Sequence, residues 1–306
     1  MSEPVKVALV TCRQFPDLDA YDAVLVPRLK TLGIQAVAAI WDDPAVDWDS
    51  FNLSVVRSTW DYASRRDEFI AWARSVPRLA NPAPVLEWNT DKHYLRDLEA
   101  QGVRVVSTLW LEPSQLHSAR RLHTRFPALG DFVLKPAVAA GSIGAGRYTA
   151  NDPYLRGRAI AHARHLLAQG HSVMVQRYIP SVDKLGEVSM VFLEGRYAYS
   201  VKKAAMLHGP ETETDRLYQQ ETLLGGYTPT DKERALAEHA IDAAMTALDQ
   251  PPKPFLYARA DLVQAEDGDP VLLEFEVTEP SLFPELAAGG IDMVCRAIAG
   301  RVSLGQ

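Results

Sequence analysis

The sequence predicts a mixed fold. A parallel α/β unit of roughly 80 residues opens the chain, and antiparallel hairpins dominate its C-terminal half. Three observations carry this. Residues 5–11 (VKVALVT), 35–40 and 53–57 are short apolar runs, and a segment of helical periodicity separates the first two. Residues 188–193 and 197–202 are strand-like and joined by Glu194-Gly195. Residues 256–264 (LYARADLVQ) and 270–278 (PVLLEFEVT) flank an acidic turn, EDGD, in which Asp-Gly supplies the positive φ that a tight turn needs.

Composition bounds what such a chain does. Its 306 residues suffice for about two ordinary domains. With 47% hydrophobic and 23% charged residues it has the make-up of a globular protein, and no window approaches the ~20 apolar residues of a membrane span. The start, MSEPVKVALV, lacks a basic segment ahead of an apolar core, so no signal peptide and no membrane partner are expected. A net charge of −7 argues against general nucleic-acid binding while leaving room for a local basic pocket. Cys12 and Cys295 form neither a metal spacing nor a disulfide framework, which fits a cytoplasmic location.

In chain order, the strand at 5–11 leads through a polar loop to a helix at 22–32, with Val24, Leu25, Leu29 and Leu32 on one face and Gly33 as its stop. The third strand runs into Arg57-Ser-Thr-Trp-Asp61-Tyr62. Ligands of open α/β sheets bind beyond the carboxyl ends of strands, so Arg57 and Asp61 are candidates for holding an amino-acid-like substrate; a surface ion pair is the alternative. A helix from Arg65 to about Trp72 follows, then NPAPV at 81–85 as a linker. Thr90-Asp91-Lys92 starts a further helix, where the macrodipole disfavours a cation, so Lys92 is a candidate to face an anion; a solvated lysine is the alternative.

A helix is expected at 114–126, then a strand at 131–135 ending in Lys135. The loop AVAAGSIGAGRY after it carries Gly141, Ser142, Gly144 and Gly146, and small-residue loops of this kind let backbone N–H groups approach phosphate oxygens. It is not a Walker A loop, because Arg147-Tyr148 stands where Lys-Ser/Thr belongs. A helix at 155–168, a strand at 173–178, a long loop at 206–229 beside the substrate, a helix at 231–248 and a last helix at 284–300 complete the reading. Lys202 and Lys203 close the first hairpin, and strand alternation puts them on opposite faces. In the second hairpin Arg259 and Asp261 share one face, as do Glu274 and Glu276. Pairing them gathers three carboxylates and a guanidinium, a costly cluster unless a cation such as Mg²⁺, which prefers oxygen ligands, sits among them.

This ordered set resembles the ATP-grasp ligases over roughly residues 80–290. The parts are strand-Lys-Pro, glycine loop, strand-Gln-x-Tyr-Ile, Glu, hairpin, R-x-D and E-x-E. The 13-residue step from Asp261 to Glu274 is similar to that of the D-alanine–D-alanine ligase and glutathione synthetase branches. The resemblance implies an α/β and α+β fold: an N-terminal parallel α/β substrate domain (1–85), then central (86–180) and C-terminal (181–306) α+β subdomains gripping ATP. It implies ATP contacts at Lys92, Lys135, Gly141, Ser142, Gln176, Arg177, Tyr178, Ile179 and Glu187. It places catalytic cations at Arg259 and Lys202, and Mg²⁺, with Mn²⁺ as substitute, on Asp261, Glu274 and Glu276. Glu276 departs from the usual Glu-x-Asn. The tail Glu-Val-Thr-Glu-Pro is one residue longer than usual, so no family role transfers to Thr278 or Glu279. The implied chemistry is activation of a carboxylate as an acyl phosphate for attack by nitrogen. The motif VVRSTWDY and the tail EVTEPSLF resemble small bacterial members, among them a cyclo-ligase that closes O-ureido-D-serine to D-cycloserine. An intermolecular amino-acid or peptide ligase, or a non-catalytic nucleotide-binding regulator, is the alternative. Such ligases commonly pair, so a homo-oligomer is implied as well.

Overall fold

A computed structural model describes residues 4–115, 118–211, 217–249 and 255–304. Residues 116–117 of the expected helix at 114–126 and 212–216 of the expected loop at 206–229 lie outside them. The first sheet is parallel. It is built from β1 (Val5–Thr11), β2 (Ile34–Ile40), β3 (Leu53–Ser58) and β4 (Leu79–Ala80) in the order β2-β1-β3-β4. Its centre, Val7–Val10 and Leu53–Ser58, is buried throughout, as an apolar run in a covered parallel sheet must be.

The second layer is antiparallel: β5 (Thr108–Leu111), β6 (Asp131–Pro136), β7 (Gly146–Thr149) and β8 (Val173–Arg177), ordered β5-β8-β6-β7. Phe132 and Leu134 pack on the helix Pro153–Ala168, while Val133 and Lys135 alternate to the other face. The third sheet, also antiparallel, holds β9 (Glu187–Leu193), β10 (Arg196–Lys203), β11 (Leu223–Tyr227), β12 (Tyr257–Gln264) and β13 (Pro270–Glu276), ordered β11-β10-β9-β12-β13. Val188, Met190, Phe192, Ala258 and Ala260 cover the helices Tyr94–Ala100 and Asp231–Ala247. The opposite face packs against the first sheet at Val191, Tyr199 and Val201, beside the helix Gly290–Leu304. That helix also reaches back to Leu25–Thr31, where Arg28 pairs with Asp292.

Several expected elements are revised. The helix at 22–32 is two, Ala20–Ala23 and Leu25–Thr31, the first capped by Asp19. The helix expected from Thr90 begins only at Tyr94 and runs to Ala100, with Lys92 in the turn ahead of it, and a further helix not expected from the sequence, Ala83–Asn89, precedes that turn. The long loop at 206–229 contains β11, which Gly225 and Gly226 disguise because glycine has no side chain to show a strand period. The segment read as a linker at 81–85 is a rigid joint. Asn81 Nδ2 donates to the Tyr257 and Val277 carbonyls at 2.9 and 2.7 Å, and its Oδ1 accepts from Leu256 N at 2.7 Å.

Asn89 makes a second joint. Its Nδ2 donates to Phe275 O at 2.8 Å, and its Oδ1 accepts from Val277 N, Thr278 N and the Thr278 hydroxyl at 2.8, 3.1 and 3.0 Å. Asn89→Ala leaves these buried groups unpaired. Chemical denaturation is expected to show a loss of about 2–4 kcal/mol; a loss under about 0.5 kcal/mol contradicts the joint.

Candidate active site

The three sheets enclose one cleft of about 1340 Å³, its mouth included. One wall is the hairpin β12–β13. Register pairs Arg259 with Glu276 and Asp261 with Glu274, so all four side chains reach the same face. A bulge makes this compatible with the core: Asp261 opposes Glu274 but Leu262 opposes Leu272, and the extra residue, Leu273, lets Leu272 face the core while Glu274 faces the cleft.

Within that wall Arg259 clamps Asp261 with Nε and Nη2 at 2.9 Å each, and Nη2 also reaches Glu276 Oε1 at 2.7 Å. Such two-pronged contact fixes the carboxylate plane. Lys203 Nζ lies 2.8 Å from Asp261 Oδ2 and 3.4 Å from Glu187 Oε2, and the Ser189 hydroxyl donates to Asp261 Oδ1 at 2.7 Å. Burial raises the Asp261 carboxyl, but Arg259 and Lys203 outweigh it and hold Asp261 well below the usual range. Burial likewise raises Glu274, and Lys92 and Lys135 override it; Lys92 Nζ sits 3.2 Å from Glu274 Oε1. Glu276 goes the other way. Burial, with Glu274 and Asp261 repelling it, pushes its carboxyl up to about 8 against the pull of Arg259.

Asp261, Glu274 and Glu276 each offer a carboxylate oxygen, the three lying within 4.8 Å of one another. The donor set is all oxygen, with Arg259, Lys203 and Lys92 ranged around it. A hard divalent cation fits it.

The facing wall comes from the second sheet and the glycine loop. Lys135 projects from β6 and is drawn down by burial, while Glu274 opposes that shift. Lys92 donates to Ala139 O at 2.6 Å, anchoring the loop. Gly141 and Gly144 take φ of 56° and 72°, and Ser142 takes 60°. A side chain at Gly141 meets Tyr218 at 2.9 Å, so the residue must stay small. Gln176, Arg177, Tyr178 and Ile179 line the inner end, with Gln176 held by Thr108 Oγ1 at 2.8 Å. Burial raises Glu187 at the start of β9.

Thirteen of the sixteen residues singled out in the sequence therefore line this cleft. The other three need correction. Lys202 pairs across the sheet with Val188, on the face away from the cleft, and its ammonium lies 4.9 Å over the Tyr227 ring. Lys203 pairs with Glu187 and occupies the place expected of it. Arg57 is fully buried behind the cleft. Its Nε bonds Asp22 at 2.8 Å and its Nη2 donates to Pro280 O at 2.6 Å, because β3 is an inner strand covered on both faces. Asp61 turns back to Trp41 Nε1 at 2.9 Å. Its neighbours Trp60 and Tyr62, in the same short 3-10 helix (Trp60–Ser64), line the cleft instead. Tyr218, Glu221, Glu279 and Ser281 also line it and carried no sequence signal, since each lies in a loop or tail with no period to orient it.

Residues 7–81 match the family model described as the N-terminal domain of D-cycloserine synthetase DcsG. The chain is 33% identical over 307 residues to cycloserine biosynthesis protein DcsG of Streptomyces lavendulae, covering 97% of this chain and 98% of that protein. The crystal structure of D-cycloserine synthetase DcsG superposes with a TM-score of 0.85 over 97% of this chain and 99% of that one, at 33% identity. D-alanyl-alanine synthetase A from Vibrio cholerae (TM-score 0.70, 12% identity, 100% and 99% coverage) shares the fold. So does a RimK domain ATP-grasp protein from Sphaerobacter thermophilus (0.65, 19%, 97% and 98%). No helix among the described residues is long and apolar enough to cross a membrane.

Proposed function

The chain belongs to the D-cycloserine synthetase family of ATP-grasp ligases, and from that premise we propose that this ATP-dependent ligase closes O-ureido-D-serine to D-cycloserine, with release of carbon dioxide and ammonia. The observation that carries the reading is the continuity of one cleft. The lysine-lined end, where phosphates fit, opens onto a pocket walled by Trp60, Tyr62, Tyr218, Glu279 and Ser281. One small molecule there presents its carboxylate to the phosphoryl group and its own nitrogen to the same carbon.

The residues divide the work by position. The backbone of Gln176–Ile179 holds the adenine and Glu187 the ribose. Lys92, Lys135 and the amides of the glycine loop take the phosphate charge, as oriented donors in a water-poor site do most effectively. Arg259 and Lys203 hold Asp261 ionised and in place. Asp261, Glu274 and Glu276 would hold Mg²⁺, or Mn²⁺ in its stead, which would supply charge to neutralise phosphate oxygens. Transfer of the γ-phosphoryl group to the substrate carboxylate turns a poor electrophile into an acyl phosphate. The ureido nitrogen that is bonded to oxygen then attacks the acyl phosphate, closing the ring and expelling phosphate, and hydrolysis of the carbamoyl group on that nitrogen by one water breaks its N–C bond and releases carbon dioxide and ammonia.

Mass spectrometry of a reaction of O-ureido-D-serine with Mg-ATP is expected to show D-cycloserine at one ADP per ring closed. An acyclic amide, or ADP without the ring, contradicts the proposal.

A further inference from the structure

We propose that Glu279 receives the substrate's ammonium group and so selects an α-amino acid over its deaminated counterpart; this deepens the ligase reading above and rests on it. Among the cleft carboxylates Glu279 and Glu221 form no ion pair among the described residues, and the compensating charges on Glu221 are those of Lys203 and Arg259. Glu274 pairs with Lys92, Glu276 with Arg259, and Asp261 with Arg259 and Lys203. Glu279 is 8% exposed, forms no ion pair among the described residues, and lines the cleft together with Tyr62. A phenol supplies a hydrogen bond but no charge, and a buried carboxylate is costly without a cation. Burial raises the Glu279 carboxyl to about 7, although Tyr62, Lys92 and Arg259 draw it down. The protein's own cations leave it under-compensated.

Its surroundings identify the cation. Glu279 is not one of the three carboxylates that converge within 4.8 Å, so it stands apart from the candidate metal ligands. It lines the same cleft as Tyr62, Trp60 and Tyr218; the rings of the last two stack at 4.3 Å with 15° between planes, and the Tyr218 hydroxyl lies 3.4 Å from Ser281 Oγ, two residues on from Glu279. Aromatic faces next to a carboxylate form a pocket for a compact organic cation. An α-ammonium meets that description, and it lies on the same carbon as the carboxylate that must face the phosphates.

The backbone around Glu279 is held so that the carboxylate cannot withdraw. Tyr257 Oη donates to Thr278 O at 2.9 Å, Arg57 Nη2 to Pro280 O at 2.6 Å, and Arg259 Nη1 to Ser281 O at 3.0 Å. Three buried donors thus hold the carbonyls on either side. This gives Arg57 a positioning role: it reaches the substrate through Pro280 and Glu279 rather than by contact. Pre-organisation of this kind makes a charged contact selective.

The test compares KM for O-ureido-D-serine with KM for the same compound carrying hydrogen in place of its amino group, in the parent enzyme and in Glu279→Gln. The parent is expected to favour the amino compound about 10- to 100-fold, the range for a hydrogen bond to a charged group. In Glu279→Gln the ratio falls towards about 1, while KM for ATP, which reports an intact fold, stays within about twofold. A variant that loses kcat but keeps the ratio overturns the assignment and makes Glu279 a general base. Loss of ATP affinity as well also overturns it, as a structural role. If the parent does not turn over O-ureido-D-serine, the substrate proposal falls alone, and the same ratio is read on whichever α-amino acid stimulates phosphate release. No stimulation by any α-amino acid overturns the Glu279 assignment too.

Discussion

Glu274→Gln is expected to lower Mg²⁺-dependent turnover by about 10³-fold with little change in stability. The substitution keeps size and an oxygen donor but removes one negative charge from the three oxygens that converge at the hairpin. It also frees Lys92, whose ammonium lies 3.2 Å from Glu274 and anchors the glycine loop through Ala139. Both effects fall on charge that develops at the migrating phosphoryl group, where fixed electrostatics contribute most. Stability moves little for a local reason. The lost Lys92 pair destabilises, while Asp261 and Glu276 lose a repelling neighbour. Phosphate release followed across a Mg²⁺ titration, with thermal melting alongside, checks both halves. Turnover within tenfold of the parent at ordinary Mg²⁺ contradicts the assignment of Glu274 as a ligand.

Lys203→Met is expected to cut turnover by about 10²–10³-fold and to destabilise by about 3–5 kcal/mol, the cost of leaving buried charges without their partner. Lys203 is 3% exposed, bridges Asp261 and Glu187, and lies among charges that include Glu221. Removing its ammonium leaves acids that only Arg259 and Lys135 can serve. Lys202→Met is the matched control. It loses a half-exposed contact with the Tyr227 ring, worth roughly 0.5–1 kcal/mol, and turnover stays within about twofold. Kinetics and denaturant midpoints of the two variants decide between adjacent residues; a larger activity loss in Lys202→Met reverses the correction.

Much of the fold was legible because strands and helices write their period into the chain. The β-α-β-β opening, the strand ending in Lys135 and the hairpin EDGD all follow from local patterns. The same parity argument placed Arg259, Asp261, Glu274 and Glu276 together before any coordinate. It failed at Lys202 and Lys203 because alternation says that two neighbours face opposite ways without saying which faces the cleft. The register of β10 against β9 decides that, and Glu187, expected at the nucleotide, was the signal that could have settled it. Arg57 and Asp61 misled for a related reason. The strand end does reach the cleft, but Arg57 faces away from it on the buried strand, and Asp61 lies in the short 3-10 helix Trp60–Ser64 that follows, from which Trp60 and Tyr62 reach the cleft. Asn81 and Asn89 were invisible as joints, since their partners lie some 175 to 196 residues along the chain. Glu279 was equally silent, because its unpaired state is a property of tertiary packing.

The most direct measurement of the central claim is phosphate release from Mg-ATP with O-ureido-D-serine as the sole added substrate, repeated with a panel of free amines. Intramolecular closure in one cleft predicts full release with the single compound and no acceleration by any amine. Release that appears only when carboxylate and amine are supplied together contradicts it, and makes the chain an intermolecular ligase.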